Sequence, residues 1–465
     1  MLIIGAGEAG RMVADEILKL LRSYEILGFI DDDEKKLGTS YKNVKVLGTR
    51  FQISELANRL EIDEILIAIP SATATTIQSL IDKCEASRVS FKIVPGISEI
   101  IQGKVSLKQI REIQPEDLLG REKVLIKATS LRKKFKDSTI LITGAGGSIG
   151  SEITRQLSRC KPGNLVLVDQ SEYNLYHLDL DLKSQIAGKY QLHLTNILDL
   201  PKLQKIFRSS KPDFVFHAAA YKHVPLLEQQ VDEAVKTNIF GTRNLVNLSR
   251  EHGAKSFVFI STDKAVRPKS VMGMTKKVAE ALCLSASDDH TSFRAVRFGN
   301  VLLSQGSVVP LFKEQISRGG PVTVTHPDII RYFMTTSEAA QLVIQASCIG
   351  QGGDLFILDM GEPVRIMDLA RQMIIMSGYI PDKEIKIKIT GLRPGEKLME
   401  ELLTKEENLT TTKNQKIFIS NPKIFKSIEL TSLLQSLEKE IDCQDGRLKD
   451  KLEEFCEKEG TCELK

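Results

Sequence analysis

The sequence contains no tryptophan, only 6% aromatic residues and no run of about 18 apolar residues. A chain without such a run does not cross a bilayer, and no signal-peptide pattern opens it. Lysine and arginine total 64 against 60 acidic residues, so the formal net charge is only +4. This near-balance argues against nucleic acid as a partner, because phosphate-binding domains usually carry a clear basic excess.

Cysteine is scarce, and no two cysteines form a Cys-x-x-Cys pair. The chain has seven cysteines and seven histidines in 465 residues. So small and scattered a set argues against a disulfide framework and a structural zinc site, and we expect no metal. The hydrophobic fraction of 42% suffices for substantial cores in about two or three domains. These features are typical of a multidomain α/β protein from a reducing compartment.

A short apolar strand, a glycine-rich turn and an amphipathic helix occur twice in this order. The first glycine turn spans residues 5–10 and the second spans residues 143–150. Strands alternate with helices after each turn, which predicts two Rossmann-like domains, each a doubly wound parallel sheet. The expected organisation is an N-terminal domain at 1–120, a basic linker at 121–136 and a catalytic domain at 137–465. The catalytic domain is expected to comprise a cofactor-binding core at 137–300, a substrate-binding part at 300–425 and a helical surface tail at 426–465.

The second glycine turn carries the pattern of a dinucleotide site. Gly144, Gly147 and Gly150 lie between a predicted strand and a predicted helix, where glycine lets the backbone approach a pyrophosphate. Asp169 ends the next strand and can bond the ribose hydroxyls. No arginine follows at once to pair with a 2′-phosphate, so NAD is favoured over NADP. Further NAD contacts are expected from the helix start, neighbouring strand ends and adjoining helices, namely Ser148, Ile149, Asn196, Ile197, Ala218, Ala219, Ala220 and Asn238.

The first glycine turn has less support as a binding site. Residues 31–33 are three consecutive aspartates, which could imitate a ribose-binding acid. Three adjacent carboxylates would repel a pyrophosphate unless some of them face away. We therefore expect a structural domain here, or one with a vestigial nucleotide pocket.

The segment after residue 255 combines a strand, a polar turn and a helix. The predicted strand 256–260 leads into Ser-Thr-Asp-Lys at 261–264, and the following helix carries Met272 and Lys276. This order resembles the extended short-chain dehydrogenase/reductase superfamily, in which the helix bears a Tyr-x-x-x-Lys motif. Met272 stands at the tyrosine position, and a thioether transfers no proton. Lys276, four residues on and on the same helix face, can still hold the nicotinamide ribose.

Longer motifs narrow this resemblance. They lie at 3–10, 117–121, 217–225, 261–266, 271–276, 297–301, 326–334 and 391–397. With these motifs the sequence resembles polysaccharide-biosynthesis nucleotide-sugar 4,6-dehydratases, above all the long, membrane-anchored UDP-N-acetylglucosamine 4,6-dehydratases of bacillosamine and O-antigen pathways. The first domain looks like the extra domain of these long enzymes. The resemblance implies an NAD-dependent lyase of glycan biosynthesis, as in protein glycosylation, that acts on UDP-N-acetylglucosamine.

The implied reaction oxidises C4 of the sugar, removes water across C5 and C6, and reduces C6. Asp263, protonated, is the candidate acid at O6, and Lys264, kept neutral by burial and nearby Lys276, is the candidate base at C5. Thr262 can bond the C4 hydroxyl. The acceptor of that hydroxyl's proton stays open between the Asp263 carboxylate and a water held by Lys276. The resemblance favours retention of the C5 configuration.

A UDP-sugar offers a diphosphate, a ribose and a uracil, which arginines, carboxylates and small polar groups can bind. Arg331 and Arg393 fit the diphosphate, and Glu396 fits the ribose hydroxyls. His217 is expected to be a satisfied core histidine instead. The other candidate substrate contacts are Lys222, His223, Asn300, Ser307, Val308 and Thr325.

Two other functions compete with the dehydratase. A nucleotide-sugar 4-epimerase of the same superfamily comes next, although epimerases generally use the tyrosine that is missing here. An NAD-sensing regulator comes third. Such a protein would have no use for the Asp-Lys pair at 263–264 or for Arg331 and Arg393, which the sequence nevertheless contains.

Assembly and location are expected from the resemblance alone. We expect a homodimer or a higher homo-oligomer, with residues 231–248 and 275–284 as candidates for a dimer seam. Long relatives carry membrane-spanning helices ahead of the motif at 3–10. This chain is therefore expected to be the soluble part of a protein held at the cytoplasmic face of the bacterial inner membrane.

Overall fold

The computed structural model describes residues 1–20, 24–84, 89–94, 111, 112, 114, 116, 117, 128–185, 189–350, 352–404, 409–420, 425, 427–443 and 446–457. The strands are β1 Leu2–Ile4, β2 Gly28–Ile30, β3 Ser40–Tyr41, β4 Val44–Gly48, β5 Glu64–Ile67, β6 Ser90–Ile93, β7 Arg111–Glu112, β8 Thr139–Thr143, β9 Asn164–Asp169, β10 Tyr190–Leu194, β11 Phe214–His217, β12 Ser256–Ile260, β13 Ser292–Arg297, β14 Asn300–Val301, β15 Val322–Val324, β16 Ile330–Arg331, β17 Phe333–Met334, β18 Leu355–Leu358, β19 Val364–Arg365, β20 Ile387–Ile389, β21 Leu409–Thr411 and β22 Ile417–Ser420. The α-helices are α1 Glu8–Leu20, α2 Ile53–Arg59, α3 Ala74–Cys84, α4 Ala128–Phe135, α5 Ser148–Ser158, α6 Glu172–Gln185, α7 Leu200–Ser210, α8 Val224–Leu227, α9 Val231–Ala234, α10 Thr242–Glu251, α11 Val271–Ser285, α12 Val308–Ser317, α13 Thr336–Ala346, α14 Ile366–Met376, α15 Ser427–Cys443 and α16 Leu448–Glu457.

The chain divides into two compact units. The first unit comprises Met1–Lys123, Val308–Asp328 and Arg365–Thr390, and the second comprises Val124–Ser307, Ile329–Val364 and Gly391–Lys465. The break after residue 123 lies close to the boundary expected at 120. Two segments that the sequence placed in the substrate-binding part, 308–328 and 365–390, group with the first unit.

The first unit is built on a seven-stranded sheet in the order β3-β4-β2-β1-β5-β6-β7. The central strand β1 pairs in parallel with β2 and β5, and all three of its residues are buried. Only apolar residues suit such a strand, because helices cover both faces of a parallel sheet. The glycine turn after β1 leads directly into α1, which buries Val13, Ala14 and Ile17.

The second unit contains a nine-stranded sheet in the order β10-β9-β8-β11-β12-β13-β18-β22-β21. The strands from β10 to β18 run parallel. At the edge, β22 pairs antiparallel with β18, and β21 pairs antiparallel with β22. The strand order reverses between β8 and β11, and ligands of such sheets bind at the carboxyl ends of the strands at this point. The predicted fold class, two doubly wound parallel sheets of the Rossmann type, is confirmed.

Part of the expected basic linker is a packed helix. Leu131 and Phe135 of α4 belong to the core of the second unit. The Phe135 ring meets the Phe214 ring edge-on, with 4.9 Å between the ring centres. Lys134 Nζ donates a hydrogen bond of 2.8 Å to the carbonyl of Ser347. The basic residues therefore flank a buried apolar stripe, as in other amphipathic helices. The rest of the linker, 121–127, lies outside the described residues.

The expected helical tail forms α15 and α16, and their apolar faces pack onto α11. Leu437 and Leu452 are fully buried in a cluster that includes Met272 and Val278 of α11. Arg243 of α10 also forms an ion pair of 2.6 Å with Glu438 of α15. The tail is therefore an integral part of the second unit. Residues 458–465 lie outside the described residues.

This packing changes the interpretation of the expected dimer seam. Apolar residues from both candidate segments, 231–248 and 275–284, join α15 and α16 in one cluster. The chain's own α15 and α16 thus contact part of the apolar surface that the sequence offered to a second copy, and the dimer stays a prediction.

Replacing Leu437 by alanine should lower the free energy of unfolding by about 2–5 kcal/mol, because a buried leucine leaves a cavity behind. Ile428 lies on the same helix and is 75% exposed, so Ile428→Ala should change that free energy by less than about 0.5 kcal/mol. Urea unfolding followed by circular dichroism measures both. Equal effects of the two substitutions would contradict the packing of α15.

Candidate active site

The turn between β8 and α5 has no room for a Cβ at Gly144, Gly146 or Gly150. Gly144 has a φ of +63°, and a Cβ there would lie 2.6 Å from the backbone nitrogen of Ala219. A Cβ at Gly150 would lie 2.0 Å from the carbonyl oxygen of Gly144. Gly147, just before α5, has much more room, since its nearest such contact is 3.2 Å. The turn therefore brings the free N–H groups of α5 to the carboxyl end of β8, where an anion can bind.

Asp169 braces this turn from the end of β9. One carboxylate oxygen accepts the N–H of Gly146 at 2.9 Å, and the other accepts the N–H of Ser171 at 2.9 Å. Each carboxylate oxygen has further acceptor capacity, which leaves room for ribose hydroxyls. Asp169 therefore has a structural contact that sequence reasoning did not include.

The remaining candidate cofactor residues fall into two groups. Ala218, Ala219 and Ala220 follow β11 and are half-buried beside Gly144, as expected of a close approach. Ser148 accepts the N–H of Gln305 at 3.1 Å through its hydroxyl. Ile149 packs at the edge of the apolar core.

Asn196, Ile197 and Asn238 mainly contact other parts of the protein. Asn196 bonds Gln170 and Leu198, and Ile197 is buried with its end against Gly241. The Asn238 side chain bonds both backbone groups of Tyr221, at 2.9 and 3.0 Å.

Asn238 lies in a π-helix, Val235–Gly241, between α9 and α10. Such segments are rare and often mark functional sites. Through its bonds to Tyr221, Asn238 fixes the backbone directly after the alanine segment, residues 218–220.

His217 is a satisfied core histidine, as predicted. Its ring nitrogens bond the hydroxyls of Thr143 and Thr242 at 2.8 and 2.9 Å. Burial lowers the pKa of His217 to about 3, so the ring is neutral. It joins β8, β11 and α10 below the crevice.

The segment after β12 forms a tight polar cluster. Asp263 is fully buried, and its Oδ1 accepts hydrogen bonds of 2.9 Å from both Thr262 Oγ1 and Lys264 Nζ. Lys264 Nζ also donates to Asn300 Oδ1 at 3.0 Å. In the described part of the chain, Asp263 Oδ2 has no hydrogen-bond partner. Candidate acid and candidate base are therefore in direct contact.

The surroundings of Lys264 differ from the expected ones. Its ammonium faces two oxygen acceptors, whereas Lys276 Nζ bonds the carbonyl of Ile260 at 2.5 Å and lies 4.0 Å from the Phe259 ring centre. Burial lowers the pKa of Lys276 to about 8. The contacts thus give no support to the idea that Lys276 keeps Lys264 neutral.

Met272 is buried, with 4% of its surface exposed, in the cluster that α11 shares with α15 and α16. Its thioether therefore packs between helices at the position where the sequence resemblance led us to look for the tyrosine of the Tyr-x-x-x-Lys motif.

A second buried network behind the site consists of Ser261, Glu280 and Arg297. Glu280 accepts 2.5 Å bonds from the Ser261 hydroxyl and the Arg297 guanidinium.

Sequence reasoning missed Glu400. This carboxylate is only 4% exposed, and burial raises its pKa. The charges of Lys264, Asp263, Arg331 and Lys397 all act on it. Its sequence context, Lys-Leu-Met-Glu-Glu, is polar and gives no signal of burial.

The candidate diphosphate ligands differ in availability. Arg331 is 6% exposed, bonds the carbonyls of Ile330 and Leu398, and pairs with Glu396 at 3.3 Å. It holds the segment that contains Glu396. Arg393 is exposed and free to reach an anion with its side chain.

The other candidate substrate residues are dispersed. Lys222 and His223 are exposed, and the His223 ring lies against Gly306. Asn300, expected to contact phosphate and base, accepts a hydrogen bond from Lys264. The Ser307 hydroxyl is buried without a hydrogen-bond partner among the described residues. Val308 and Thr325 belong to the first unit.

The first glycine turn repeats the brace seen at the second. Asp31 accepts the N–H of Ala6 at 2.8 Å and the Lys36 ammonium at 3.0 Å. Asp32 pairs with Arg50, and Asp33 accepts the N–H of Lys35. Each of the three carboxylates therefore has a partner within the protein, while ligand binding at this turn stays untested.

A cavity of about 500 Å³ borders this turn, with Arg11, Lys36 and Tyr41 in its lining.

Among the described residues, no helix combines the length and apolarity needed to cross a bilayer. The same residues contain no cluster of three histidine, cysteine or acidic side chains arranged for a metal ion.

Two protein families match the chain. The polysaccharide biosynthesis protein family matches residues 140–422, and a CoA-binding domain family matches residues 1–95. A probable polysaccharide biosynthesis protein of Bacillus subtilis, EpsC, is 45% identical over 411 residues, which are 87% of this chain and 68% of that protein.

Two further relatives match a little over three fifths of the chain. An inverting UDP-N-acetylglucosamine 4,6-dehydratase of Campylobacter jejuni is 30% identical over 62% of this chain and 84% of its own length. The crystal structure of Pen from Bacillus thuringiensis superposes with a TM-score of 0.57 at 34% identity, over 63% of this chain and 89% of Pen. The chain belongs to the polysaccharide biosynthesis protein family, as its sequence motifs predicted.

Proposed function

We propose that this protein is an NAD-dependent UDP-N-acetylglucosamine 4,6-dehydratase, a hydro-lyase of glycan biosynthesis. The observation that carries the proposal is the Asp263–Lys264 pair, joined by a 2.9 Å hydrogen bond after β12, with a methionine in place of the tyrosine. A dehydratase needs an acid and a base at neighbouring carbons, and this pair offers both. The related enzyme of Campylobacter jejuni supports the same substrate.

The glycine turn of the second unit fits NAD. It offers the free N–H groups of α5 to a pyrophosphate and Asp169 to the adenosine ribose, and Lys276 lies on the facing helix. Dehydratases that share this fold have been solved with NAD bound. Bound here, NAD supplies the hydride acceptor for C4 and the hydride donor for C6.

The hydrogen bonds of Asp263 support a closed proton route. Thr262 Oγ1 bonds Asp263 Oδ1, so the proton that leaves the C4 hydroxyl passes through Thr262 to the carboxylate. The resulting carboxylic acid then gives this proton to O6, and the C6–O bond breaks to release water. Because Asp263 is fully buried, its side chain must turn to reach O6.

Lys264 handles the proton at C5. Its neutral amine takes this proton as the water leaves, and the resulting ammonium gives a proton to C5 when C6 is reduced. At the end of the cycle Asp263 is again a carboxylate and Lys264 again an amine. The substrate has lost one water and nothing else.

A 4-epimerase is the second candidate, and it would use Lys276 and the NAD site without the acid–base pair. Retention at C5, a homo-oligomeric state and anchoring at the cytoplasmic face of the inner membrane remain predictions from the family resemblance. The Campylobacter jejuni relative is named as inverting, so C5 needs direct measurement.

Incubation with UDP-N-acetylglucosamine in D₂O should yield a product that is one water lighter than the substrate and carries deuterium at C5, because Lys264 exchanges its proton with solvent. Mass spectrometry gives the first result, and proton NMR gives the second together with the C5 configuration. A product of unchanged mass with inverted C4 would establish the epimerase instead.

Asp263→Asn and Lys264→Met should each reduce kcat by about 10²–10⁴-fold, because each removes one partner of the acid–base pair. Isothermal titration should give the same NAD affinity as the unmodified protein, since neither side chain belongs to the glycine turn. Near-normal turnover by either variant would contradict that residue's role.

Asp169→Ala should weaken NAD binding by about 10–100-fold, because a charge-assisted hydrogen bond to the ribose contributes about 1.5–3 kcal/mol. Discrimination against NADP should fall as well. Asp31→Ala, which removes the corresponding brace of the first unit, is the matched control and should leave NAD binding unchanged. Weaker NAD binding by Asp31→Ala together with unchanged binding by Asp169→Ala would place the NAD site at the first glycine turn.

A further inference from the structure

The segment that follows β13 runs along the acid–base pair. The carbonyl of Phe298 accepts the N–H of Asp263 at 3.0 Å, and Asn300 Oδ1 accepts a hydrogen bond of 3.0 Å from Lys264 Nζ. Between these two residues, a Cβ at Gly299 would lie 3.1 Å from Asp263 Oδ2. Three consecutive residues therefore lie against the pair, and Asn300 contacts it through its side chain.

Strand pairing holds the backbone of Asn300 in place. Asn300 lies in β14, which pairs in parallel with β17. Its N–H donates to the carbonyl of Tyr332 at 3.0 Å, and the N–H of Leu302 donates to the carbonyl of Met334 at 2.9 Å. The amide of Asn300 therefore reaches Lys264 from a backbone that is fixed on both sides.

The amino group of Lys264 has two hydrogen-bond acceptors. Nζ is 2.9 Å from Asp263 Oδ1 and 3.0 Å from Asn300 Oδ1. A neutral amine has two N–H bonds and one lone pair, so these two acceptors occupy both of its N–H bonds. Because the nitrogen is tetrahedral, the lone pair must then point in the one direction that remains. In the proposed cycle this lone pair takes the proton from C5.

We propose that Asn300 is a positioning residue that directs the lone pair of Lys264 towards C5 of the sugar. Its amide oxygen accepts one N–H of the amine while Asp263 accepts the other, so the amine cannot turn about the Cε–Nζ bond without losing a hydrogen bond. No covalent bond of Asn300 changes during the cycle. The inference rests on the dehydratase function proposed above.

The uncharged amide makes Asn300 suited to this task. A carboxylate at the same place would favour the ammonium form of Lys264, and an ammonium has no lone pair with which to take a proton. An alanine would leave one N–H of the amine without its acceptor. Asparagine orients the amine and adds no second negative charge to that of Asp263.

Titratable groups on the neighbouring elements contribute to the charge around Lys264. They lie in its own turn, on α11, beside β16 and β17, and in the segment 391–404: Asp263, Lys276, Arg331, Tyr332, Lys397 and Glu400. All of these groups are retained when residue 300 is replaced. A shift in pH dependence that follows the charge of residue 300 is therefore caused by that residue.

The test compares alanine and aspartate at position 300 with the same residues at position 164. Asn164 begins β9, at the end of the strand opposite to Asp169, and serves as the matched control. Asn300→Ala should lower kcat by about 10–100-fold, because the lone pair is no longer directed, while KM for UDP-N-acetylglucosamine stays within about twofold. Asn164→Ala and Asn164→Asp should behave like the unmodified enzyme.

The pH profile distinguishes positioning from a general structural role. Lys264 must be an amine to act, so kcat should rise with pH as Lys264 loses its proton. Asn300→Asp places a negative charge beside Lys264 and should move this rise to higher pH by about 1–3 units. Asn300→Ala should show no such move, and neither should Asn164→Asp.

The kinetic outcomes separate this proposal from the proposed function. Unmodified kcat in Asn300→Ala, or an unshifted pH profile in Asn300→Asp, beside an active unmodified enzyme, would overturn the role of Asn300 alone. A rise in KM with unchanged kcat would show a substrate contact and would also overturn it. Absence of dehydrated product from the unmodified enzyme would refute the dehydratase function.

A titration without substrate tests the contact between Asn300 and Lys264 by itself. In protein labelled with carbon-13 at lysine Cε, the NMR signal that is missing from Lys264→Met belongs to Lys264. The pH midpoint of this signal should rise by about 1–3 units in Asn300→Asp and stay unchanged in Asn164→Asp. Equal midpoints in these two variants and the unmodified protein would refute the proposal, whatever the reaction.

Discussion

The close approach of α5 to the end of β8 governs the rest of the candidate active site. A Cβ at Gly150 would lie 2.0 Å from the carbonyl oxygen of Gly144, so the helix can start so near the strand only because residue 150 is glycine. That position directs the free N–H groups of α5 into the crevice and lets Asp169 reach Gly146. It also sets the alanine segment after β11 against the turn. The same constraint operates in the first unit, where a Cβ at Gly10 would lie 1.9 Å from the carbonyl oxygen of Gly5.

The candidate catalytic residues lie in an interior that carries many charges. Asp263 and Arg297 are fully buried, and Glu280 and Glu400 are nearly so. Burial of an ion pair costs desolvation energy that its Coulomb attraction does not always repay. Such groups are therefore poor sources of stability. Here the buried charges hold neighbouring elements in one arrangement, because Glu280 and Arg297 join α11 and β13 to the turn that follows β12.

The sequence was sufficient for the features that depend on local pattern. Glycine spacing located the turn of the second unit, and the apolar strand ending in His217 identified a core histidine correctly. The motifs also predicted the family. Each of these follows from residues that are neighbours in the sequence.

Features that depend on tertiary contacts could not be predicted in this way. The sequence predicts that Arg331 binds an anion, but in the fold its guanidinium donates hydrogen bonds to the carbonyls of Ile330 and Leu398. Asn300 reads as a phosphate contact, but folding brings it to Lys264. Glu400 stands in a polar stretch, and only the assembled unit shows that it is buried. The partners of the aspartates at 31–33, namely Lys36, Arg50 and backbone N–H groups, likewise follow only from the fold.

The packing of α15 and α16 on α11 has a consequence for how activity depends on protein concentration. A helix face covered by a second subunit is exposed again whenever the assembly dissociates, so its order falls on dilution. A cover that belongs to the same chain has an effective concentration set by the connecting segment rather than by the amount of protein. The helix that bears Met272 and Lys276 is thus kept in place from within. The packing of this helix against α15 and α16 should therefore be independent of protein concentration.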